Sequence, residues 1–381
     1  MPASAVAIPA FYDPPPLPEG ARPGTVLRAE RAPEADTGGA GAVRLLYVTT
    51  DYRGRPTVSS AMAWLPQDDT AGPRPVVAWA HPTTGIARAC APSLAAAPVR
   101  RVPGLAELLA TGAIVVATDY PGLGTPGPTA YLIGRAEGQA VLDSVRAMHR
   151  LKGVSAAPRF AIYGHSQGGQ ASLFAGTMAA GYAPELTLAG VAAAAPAADL
   201  TALTEASNDT AIGRWVLAMA LDSWRQFYPR SRPVLDPVTA AFPADFRAVI
   251  VDSCLMTAAE FARIQLFAKP LNPALADRSA LRRPPLPALL ARNSARPLPP
   301  EVPLLVLQGG DDTVVPAKVT RAFVEASCQA GGRVQVFFDP TQNHFYIALA
   351  NGSRMAGWLA DRLAGKPARN DCGRPWETKI E

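Results

Sequence analysis

The sequence predicts an α/β fold built on a mostly parallel central sheet. Short apolar runs typical of buried strands alternate with helical segments, and the strand expected at residues 159–163 leads through a glycine-containing turn directly into a helix. The chain has 381 residues, of which 49% are hydrophobic and 18% are charged. This composition supports a large buried core and argues against disorder, and the length favours one large domain with an insertion.

The predicted elements follow one another in a simple order. Residues 1–40 form a Pro-rich arm that we expect to be extended and to pack on the surface. An antiparallel hairpin is predicted at residues 43–50 and 57–64, and helices are predicted at residues 102–111 and 135–151. The remaining strands are continuous apolar runs, as expected for parallel strands covered on both faces, and lie at residues 75–80, 113–118, 159–163, 188–195, 302–307 and 334–338.

The alternation of strands and helices stops for about one hundred residues before residue 302. This stretch ends in a Pro-rich segment at residues 282–303, and its predicted helices lie at residues 211–227, 243–251 and 257–267. A connection of this length is usually functional when it is ordered, so we interpret it as a helical cap folded over the sheet. The predicted division is a core at residues 1–198, a cap at residues 199–300 and the C-terminal part of the core at residues 301–381.

The turn after the strand at residues 159–163 has the pattern G-x-S-x-G, at residues 164–168. In a strand–turn–helix setting, such a turn is so tight that the neighbours of the serine must be nearly free of side chains, and the serine hydroxyl stands above the sheet. The pattern alone has low specificity, but its place between a strand and a helix raises that specificity. Ser166 is therefore the predicted nucleophile.

A serine nucleophile needs a base within hydrogen-bond reach, and the base needs an acid that orients it. The acid is expected in the loop after residues 302–307, where the pattern G-x-x-D-x-x-V-P places Asp312 three residues after Gly309, with Asp311 as the alternative. His344 follows the last predicted strand and is the one histidine after the acid, so it is the predicted base. The chain order Ser, Asp, His is the order that a triad takes on this type of sheet.

Acyl transfer by a serine also requires N–H donors for the oxyanion that forms on the substrate. The residue after the nucleophile supplies one donor, which makes the Gln167 N–H the first candidate. The loop after residues 75–80 supplies the other, and there the Thr84 N–H is preferred over that of Thr83. A plain strand-to-helix turn is the alternative interpretation of this loop. His165, inside the elbow, is expected to shape the pocket wall rather than to move protons.

Several other function classes are disfavoured. Residues 122–127 match G-x-G-x-x-G, but Pro126 and Pro128 prevent the helix that a dinucleotide-binding fingerprint requires. The net charge is +5, yet the basic residues are scattered and no basic run is interleaved with aromatic residues, so nucleic acid is not an expected partner. No apolar run reaches the ~18 residues of a membrane span. No Cys/His cluster has metal-binding spacing, and we expect neither a metal nor a cofactor.

The four cysteines are widely spaced, at Cys90, Cys254, Cys328 and Cys372. Their spacing is compatible with two disulfides or with four buried thiols and does not choose between them. The first residues show neither the basic leader nor the apolar stretch of a signal peptide, which fits a cytosolic protein or an exported protein whose leader has been removed.

With these residues placed, the chain resembles the secretory lipase family of α/β-hydrolases, which includes fungal lipase A and actinobacterial secreted lipases and esterases. The resemblance covers nearly the whole chain. It rests on the motifs F-Y-x-P-P, H-P-T-T-G, C-A-P-S, D-Y-P-G-L-G, G-H-S-Q-G, G-x-x-D-x-x-V-P and N-H, which begin at Phe11, His81, Cys90, Asp119, Gly164, Gly309 and Asn343. Many members have H-G-T-T-G in the second of these motifs, where this chain has Pro82 in place of the glycine.

The resemblance implies an α/β-hydrolase fold in which a helical cap is inserted before the strand that carries the acid. It also implies that Ser166, Asp312 and His344 hydrolyse carboxylic esters, often acylglycerols, without a cofactor. In this family the cap forms the acyl pocket, and transient contact with a lipid interface is compatible with such a substrate. The apolar residues of the cap either line that pocket or form the core of the cap, the second being expected for most of Trp215, Leu217, Met219, Trp224, Phe227, Leu255 and Phe261.

The resemblance further implies two disulfides, Cys90 with Cys254 and Cys328 with Cys372. Disulfides form and persist in oxidising compartments, so this pairing favours an exported protein, with a cytoplasmic location as the alternative.

Two other functions use or mimic the same residues. An acyltransferase or a peptidase would employ the same triad with a different acceptor or a different bond. A non-catalytic binding protein of this fold usually lacks a member of the triad, whereas this chain has a candidate for all three.

Overall fold

The computed structural model describes residues 7–37, 39–68, 72–206, 210–268 and 279–376. Within these ranges, nine strands form one sheet: β1 (Val26–Arg31), β2 (Ala40–Thr50), β3 (Pro56–Pro66), β4 (Arg74–Ala80), β5 (Ile114–Thr118), β6 (Ala156–His165), β7 (Thr187–Ala194), β8 (Leu304–Gly309) and β9 (Val334–Asp339).

The α-helices of the same ranges begin after β4, lie between the later parallel strands and follow the last one. They are α1 (Leu105–Ala110), α2 (Gly134–Arg150), α3 (Gln167–Tyr182), α4 (Leu200–Ala206), α5 (Ala211–Phe227), α6 (Arg232–Ala240), α7 (Ala244–Asp252), α8 (Ala258–Ala268), α9 (Leu286–Asn293), α10 (Ala317–Gln329), α11 (Tyr346–Leu349) and α12 (Gly352–Leu363).

The strand order is β1-β2-β3-β5-β4-β6-β7-β8-β9. The pairs β1–β2, β2–β3 and β3–β5 are antiparallel, and every pair from β5–β4 to β8–β9 is parallel. The carboxyl ends of β4, β6, β8 and β9 therefore meet at one edge of the sheet. In open α/β sheets this is the edge at which ligands bind.

The central strands are apolar along their whole length because both faces of the sheet are covered. Side chains of β4 alternate between the two faces. Val77 and Trp79 pack with α1 and α12 in one apolar cluster, whereas Val76 and Ala78 pack with α2 and α3 in another. The mostly parallel sheet between two layers of helices confirms the predicted fold class.

The N-terminal arm is more structured than its sequence indicates. It contains β1, which pairs with β2 in a register that sets Ala29 opposite Leu45. Further upstream, Tyr12 is completely buried, and its hydroxyl lies 2.6 Å from Ser93 Oγ. The expectation of an extended arm lying on the surface is therefore wrong for these segments. The reason is that β1 is an edge strand whose exposed end consists of charged residues, which conceals the usual apolar alternation.

Among the residues described between β7 and β8 there are six α-helices, α4 to α9. They have an apolar cluster of their own, whose fully buried members include Trp215, Met219, Leu235, Val249 and Ile264. Three of these helices were not expected from the sequence: α4, α6, and α9 inside the Pro-rich segment 282–303. The last two share a feature. Prolines occupy the first turn of both helices, where the missing N–H costs no hydrogen bond.

Two disulfides tie distant parts of the chain together. Cys90, after β4, is bonded to Cys254 in the connection between α7 and α8. Cys328, near the end of α10, is bonded to Cys372 in the C-terminal segment. No helix in the described part of the chain is both long and apolar enough to cross a membrane.

Candidate active site

The turn between β6 and α3 carries Ser166 in a strained conformation, with φ 57° and ψ −115°. The positions on both sides of it, Gly164 and Gly168, have no room for a side chain. A Cβ atom on Gly164 would lie 2.2 Å from the carbonyl oxygen of Gly168, and a Cβ on Gly168 would lie 1.9 Å from the carbonyl oxygen of Ala80. The G-x-S-x-G pattern is thus the only way to bring α3 this close to β4, and the result is a serine raised above the edge of the sheet.

Ser166, His344 and Asp312 are in mutual contact. Ser166 Oγ lies 2.9 Å from His344 Nε2, and His344 Nδ1 lies 2.7 Å from Asp312 Oδ2. Because an ionised carboxylate only accepts hydrogen bonds, Nδ1 carries the proton in the neutral ring and Nε2 is left to accept the serine proton. All three residues are buried, so water does not compete freely for these hydrogen bonds.

Asp312 is held by its own loop. Its Oδ1 accepts hydrogen bonds from the N–H groups of Val314 at 2.9 Å and Val315 at 2.7 Å, and its side chain has no exposed surface. The adjacent Asp311 is exposed, and its N–H donates to the carbonyl of Gln342 at 3.1 Å. Of the two aspartates that the sequence offered, the structure therefore places Asp312 against His344.

His165 supports the loop that carries His344. Its Nε2–H donates to the carbonyl oxygen of His344 at 2.8 Å, and the two rings lie 4.8 Å apart between centroids. Burial, together with the nearby His344 ring, lowers the pKa of His165 to about 3, so its imidazole is neutral at ordinary pH. Sequence reasoning assigned His165 to the pocket wall and missed this backbone contact.

The loop after β4 lies beside the elbow. Thr83, Ser166 and Gln167 line the same cavity, and Thr83 Oγ1 lies 2.7 Å from the hydroxyl of Tyr131. Thr84 is buried, and its carbonyl oxygen accepts a hydrogen bond from the Leu255 N–H at 2.8 Å. The structure thus brings both candidate threonines next to the elbow, with Thr83 on the cavity and Thr84 against the cap.

The cavity above Ser166 is mainly apolar. Of the seven apolar cap residues considered from sequence, Leu217 and Trp224 line it. The others pack into the apolar cluster of the cap: Trp215, Met219, Phe227, Leu255 and Phe261. Further walls come from the loop before α2 and from α4, α5 and α9, through residues such as Leu132, Leu200, Val216, Leu286 and Leu290.

A buried glutamate lies behind the elbow. Glu137, in the first turn of α2, accepts hydrogen bonds at Oε1 from the Gln167 side-chain amide at 2.7 Å and from the Leu132 N–H at 2.9 Å. Burial raises the pKa of this carboxyl from 4.5 to about 8. Sequence reasoning did not single out Glu137, because a lone acid in the first turn of a helix is also what an exposed helix start shows.

The glycine-rich segment 122–127 forms a loop, and α2 does not begin until Gly134. Residues 122–127, all of them described, therefore do not start a helix, as a dinucleotide fingerprint would require. Within the described ranges, His, Cys, Asp and Glu side chains form no group of three that is placed to hold a metal ion.

A comparison with known families matches residues 102–371 to the secretory lipase family. The chain belongs to this family. Lipase A of Arthroderma benhamiae is 26% identical to this secretory lipase, over an alignment that covers 95% of this chain and 80% of that protein.

Two solved structures support the fold of this secretory lipase. The structure of Candida antarctica lipase A in its closed state has a TM-score of 0.79 at 19% identity and covers 98% of this chain and 89% of its own. The rice cell wall degrading esterase LipA from Xanthomonas oryzae has a TM-score of 0.68 at 19% identity, and the match covers 90% of this chain and 100% of that one. The fold is that of an α/β-hydrolase, and membership of the family establishes the protein as a carboxylic-ester hydrolase.

Proposed function

We propose that this secretory lipase cleaves carboxylic esters through an acyl-enzyme on Ser166. His344 takes the proton from the Ser166 hydroxyl as Oγ attacks the ester carbonyl, and Asp312 holds the imidazole in the required tautomer. The protonated His344 then gives its proton to the leaving alcohol. In the second half of the reaction, His344 deprotonates a water molecule that attacks the acyl-enzyme, and the carboxylic acid leaves.

The observation that carries this proposal is the unbroken chain of two short hydrogen bonds, 2.9 Å from Ser166 to His344 and 2.7 Å from His344 to Asp312. These distances lie in the range that a nucleophile, its base and the orienting acid need. The two Asp312 contacts with loop amides add support, because they hold its side chain in one rotamer facing His344.

The oxyanion of the tetrahedral intermediate requires donors close to Ser166. We assign the Gln167 N–H as one donor, because it is the first N–H of α3 and the positive end of the helix dipole points the same way. The second donor comes from the loop after β4, from Thr84 or Thr83. Thr83 lines the cavity, which supports its N–H as this donor, whereas the sequence favoured the N–H of Thr84.

The substrate that fits this site is an ester with an aliphatic acyl chain. The cavity that contains Ser166 is lined mainly by Leu, Val, Ala and Trp side chains, and no charged residue is among its lining residues in the described part of the chain. Such a surface gains free energy from burying methylene groups, at about 0.8 kcal/mol for each. It offers few polar partners for the backbone of a peptide, so we assign ester hydrolysis, including acylglycerols, rather than proteolysis.

The two disulfides support export, because they persist in oxidising compartments. We therefore propose that the protein acts outside the cytoplasm.

The test is hydrolysis of p-nitrophenyl esters from acetate to palmitate, with emulsified triglyceride and amide substrates in parallel. We expect turnover of esters, no turnover of amides, and loss of about 10⁶-fold in kcat for Ser166→Ala with folding unchanged. A fluorophosphonate probe should label the wild-type protein and not the variant. Ester turnover that survives in Ser166→Ala would refute the assignment of the nucleophile, and faster transfer to alcohols than to water would favour an acyltransferase.

Ser172→Ala is the matched control. Ser172 is fully buried on α3, and its hydroxyl has no hydrogen-bond partner among the described residues. This variant should keep both the labelling and the turnover, because its hydroxyl takes no part in the proposed chemistry.

A further inference from the structure

Glu137 is an acid buried inside the enzyme and separate from the three groups of the proposed triad. The residue is 1% exposed, and the structure gives it no cationic partner within the described residues. Its Oε1 accepts two hydrogen bonds, from Gln167 Nε2 at 2.7 Å and from the Leu132 N–H at 2.9 Å. Its Oε2 is buried and has no hydrogen-bond partner among the described residues. An ionised carboxylate in such a place is costly, so the group needs a reason to be there.

The two donors to Glu137 belong to the two walls of the site. Gln167 follows the nucleophile directly and lines the cavity. Leu132 lines the cavity as well and adopts a positive φ of 52°, a conformation that a leucine keeps only when its surroundings enforce it. One carboxyl oxygen therefore joins the elbow to the acyl-pocket wall, and the hydrogen bond to the Leu132 N–H holds the strained residue in place.

The surroundings of Glu137 favour its neutral form. Burial raises its pKa from 4.5 to about 8, although the hydrogen bonds from Gln167 and Leu132 act in the opposite direction. The titratable side chains that interact with it are Tyr120 and Tyr131, and burial raises the pKa of both well above its ordinary range. No second group near Glu137 therefore changes its charge between pH 6 and pH 10 through these contacts. Ionisation of Glu137 in that interval would place a single uncompensated negative charge behind Gln167.

We propose that Glu137 is a positioning residue that works as a neutral acid: it fixes Gln167, whose N–H faces the oxyanion, and it fixes the Leu132 wall of the acyl pocket. This inference rests on the proposed function, because it assigns a role to the residue beside the proposed nucleophile. When the carboxyl loses its proton, the new negative charge opposes the negative charge that develops on the substrate oxygen. The enzyme then turns over more slowly although its triad is intact.

A purely structural role for Glu137 makes different predictions. If Glu137 only stabilises the first turn of α2, replacing it lowers the stability of the protein but changes neither kcat nor the pH profile of kcat. The isosteric Glu137→Gln variant separates the two roles, because it keeps an oxygen acceptor for both donors and cannot ionise.

The experiment measures kcat and KM for ethyl butyrate and ethyl octanoate by pH-stat titration between pH 6 and pH 10. It compares the wild type with Glu137→Gln, Glu137→Leu and Glu325→Gln, the last being a control at an exposed glutamate on α10. We expect Glu137→Gln to keep kcat within about threefold of the wild type at pH 7, and to retain it above pH 8 where the wild type declines about tenfold. We expect Glu137→Leu to lose about tenfold or more in kcat at every pH and to raise KM more for the octanoate than for the butyrate.

Two results would overturn the proposal: an alkaline decline of Glu137→Gln identical to that of the wild type, or wild-type kcat in Glu137→Leu. If Glu137→Leu does not fold, as judged by circular dichroism, the profile of Glu137→Gln decides alone. Fluorophosphonate labelling of Ser166 in the wild type is measured on the same samples. If the probe labels Ser166 but the Glu137 variants behave like the wild type, this inference is refuted and the proposed function stands. If the probe does not label Ser166, the proposed function itself is refuted.

Discussion

The imidazole of His165 lies against the imidazole of His344 and donates a hydrogen bond to the His344 backbone at 2.8 Å. The elbow thus holds the proposed base by its main chain, in addition to the contact through Ser166. Because burial and the adjacent His344 ring lower the pKa of His165 to about 3, the contact does not add a positive charge next to the base.

Replacing His165 with Phe should therefore impair catalysis without changing the triad residues. The phenyl ring keeps much of the packing but leaves the buried His344 carbonyl without its donor, at a cost of about 1–3 kcal/mol. We expect kcat/KM for p-nitrophenyl butyrate to fall about tenfold or more. His149→Phe, at an exposed position in the last turn of α2, is the control and should keep its activity; equal activity in both variants would contradict the role of the His165 contact.

The two neighbouring aspartates offer a matched pair. Asp312→Asn should lower kcat about 10⁴-fold, because an amide no longer selects the tautomer of His344 that accepts the serine proton. Asp311→Asn should leave kcat within about twofold, since Asp311 is exposed and contacts Gln342 through its backbone. The measurement is steady-state hydrolysis at pH 7, and a larger loss in Asp311→Asn than in Asp312→Asn would reverse the assignment.

Two of the glycines in helix α3, Gly168 and Gly181, have opposite requirements. Gly168→Ala places a methyl group 1.9 Å from the Ala80 carbonyl oxygen, so α3 must move away from β4. We expect a loss of several kcal/mol in the free energy of unfolding, or no folded protein. Gly181→Ala meets nothing within 4 Å and should raise the stability by up to about 1 kcal/mol through helix propensity. Chemical denaturation of both variants tests this, and equal midpoints would contradict it.

The two disulfides should differ in their effect on activity. In the chain-entropy model, each stabilises the protein by about 4–5 kcal/mol through the loop it closes. The bond from Cys90 to Cys254 also fixes the segment whose Leu255 N–H binds the Thr84 carbonyl beside the elbow. We therefore expect Cys90→Ser/Cys254→Ser to lower both the melting temperature and kcat.

The control is Cys328→Ser/Cys372→Ser, which should lower the melting temperature with kcat nearly unchanged below the transition. This pair lies in α10 and the C-terminal segment and contacts neither the elbow nor the cavity. Loss of kcat in the control to the same extent would show that the activity follows global stability alone.

Glu137 should also make the stability depend on pH. In the folded protein the Glu137 carboxyl keeps its proton up to about pH 8, whereas the ordinary pKa of a glutamate is 4.5. The folded state therefore binds more protons than the unfolded chain in this interval, so the free energy of unfolding contributed by Glu137 falls as the pH rises from about 4.5 to about 8. In Glu137→Gln the decrease between pH 5 and pH 8 should be smaller by about 1–4 kcal/mol. Urea denaturation at both pH values tests this, and an unchanged decrease would argue against a neutral buried acid.

The fold and the meeting of three side chains were predictable because each depends on a local rule. Continuous apolar runs identified the parallel strands, and their carboxyl ends meet at one edge. Ser166, Asp312 and His344 each follow such a strand, at the places where this type of sheet carries a triad. The order of these local patterns along the chain was therefore enough to select the three residues, although Ser166 and His344 lie more than one hundred positions apart.

Other features depend on contacts that no local pattern encodes. Glu137 looks like an ordinary helix-start acid until α3 and the loop at Leu132 cover it. Thr83 and Thr84 are adjacent and of one type, so only the path of the backbone distinguishes the cavity from the cap. The strand β1 is an edge strand with charged residues, so its pairing with β2 leaves no apolar period to detect.

The cap has an apolar cluster of its own, and only some of its side chains reach the cavity. Changes of size at Val216 or Ala220 can therefore reshape the room for an acyl chain while the cap helices stay packed on one another. The side chains proposed for the chemistry thus follow strands of the sheet, whereas much of the cavity wall belongs to the cap. An engineer who seeks another chain-length preference can randomise the cavity face of α5 and leave the sheet untouched.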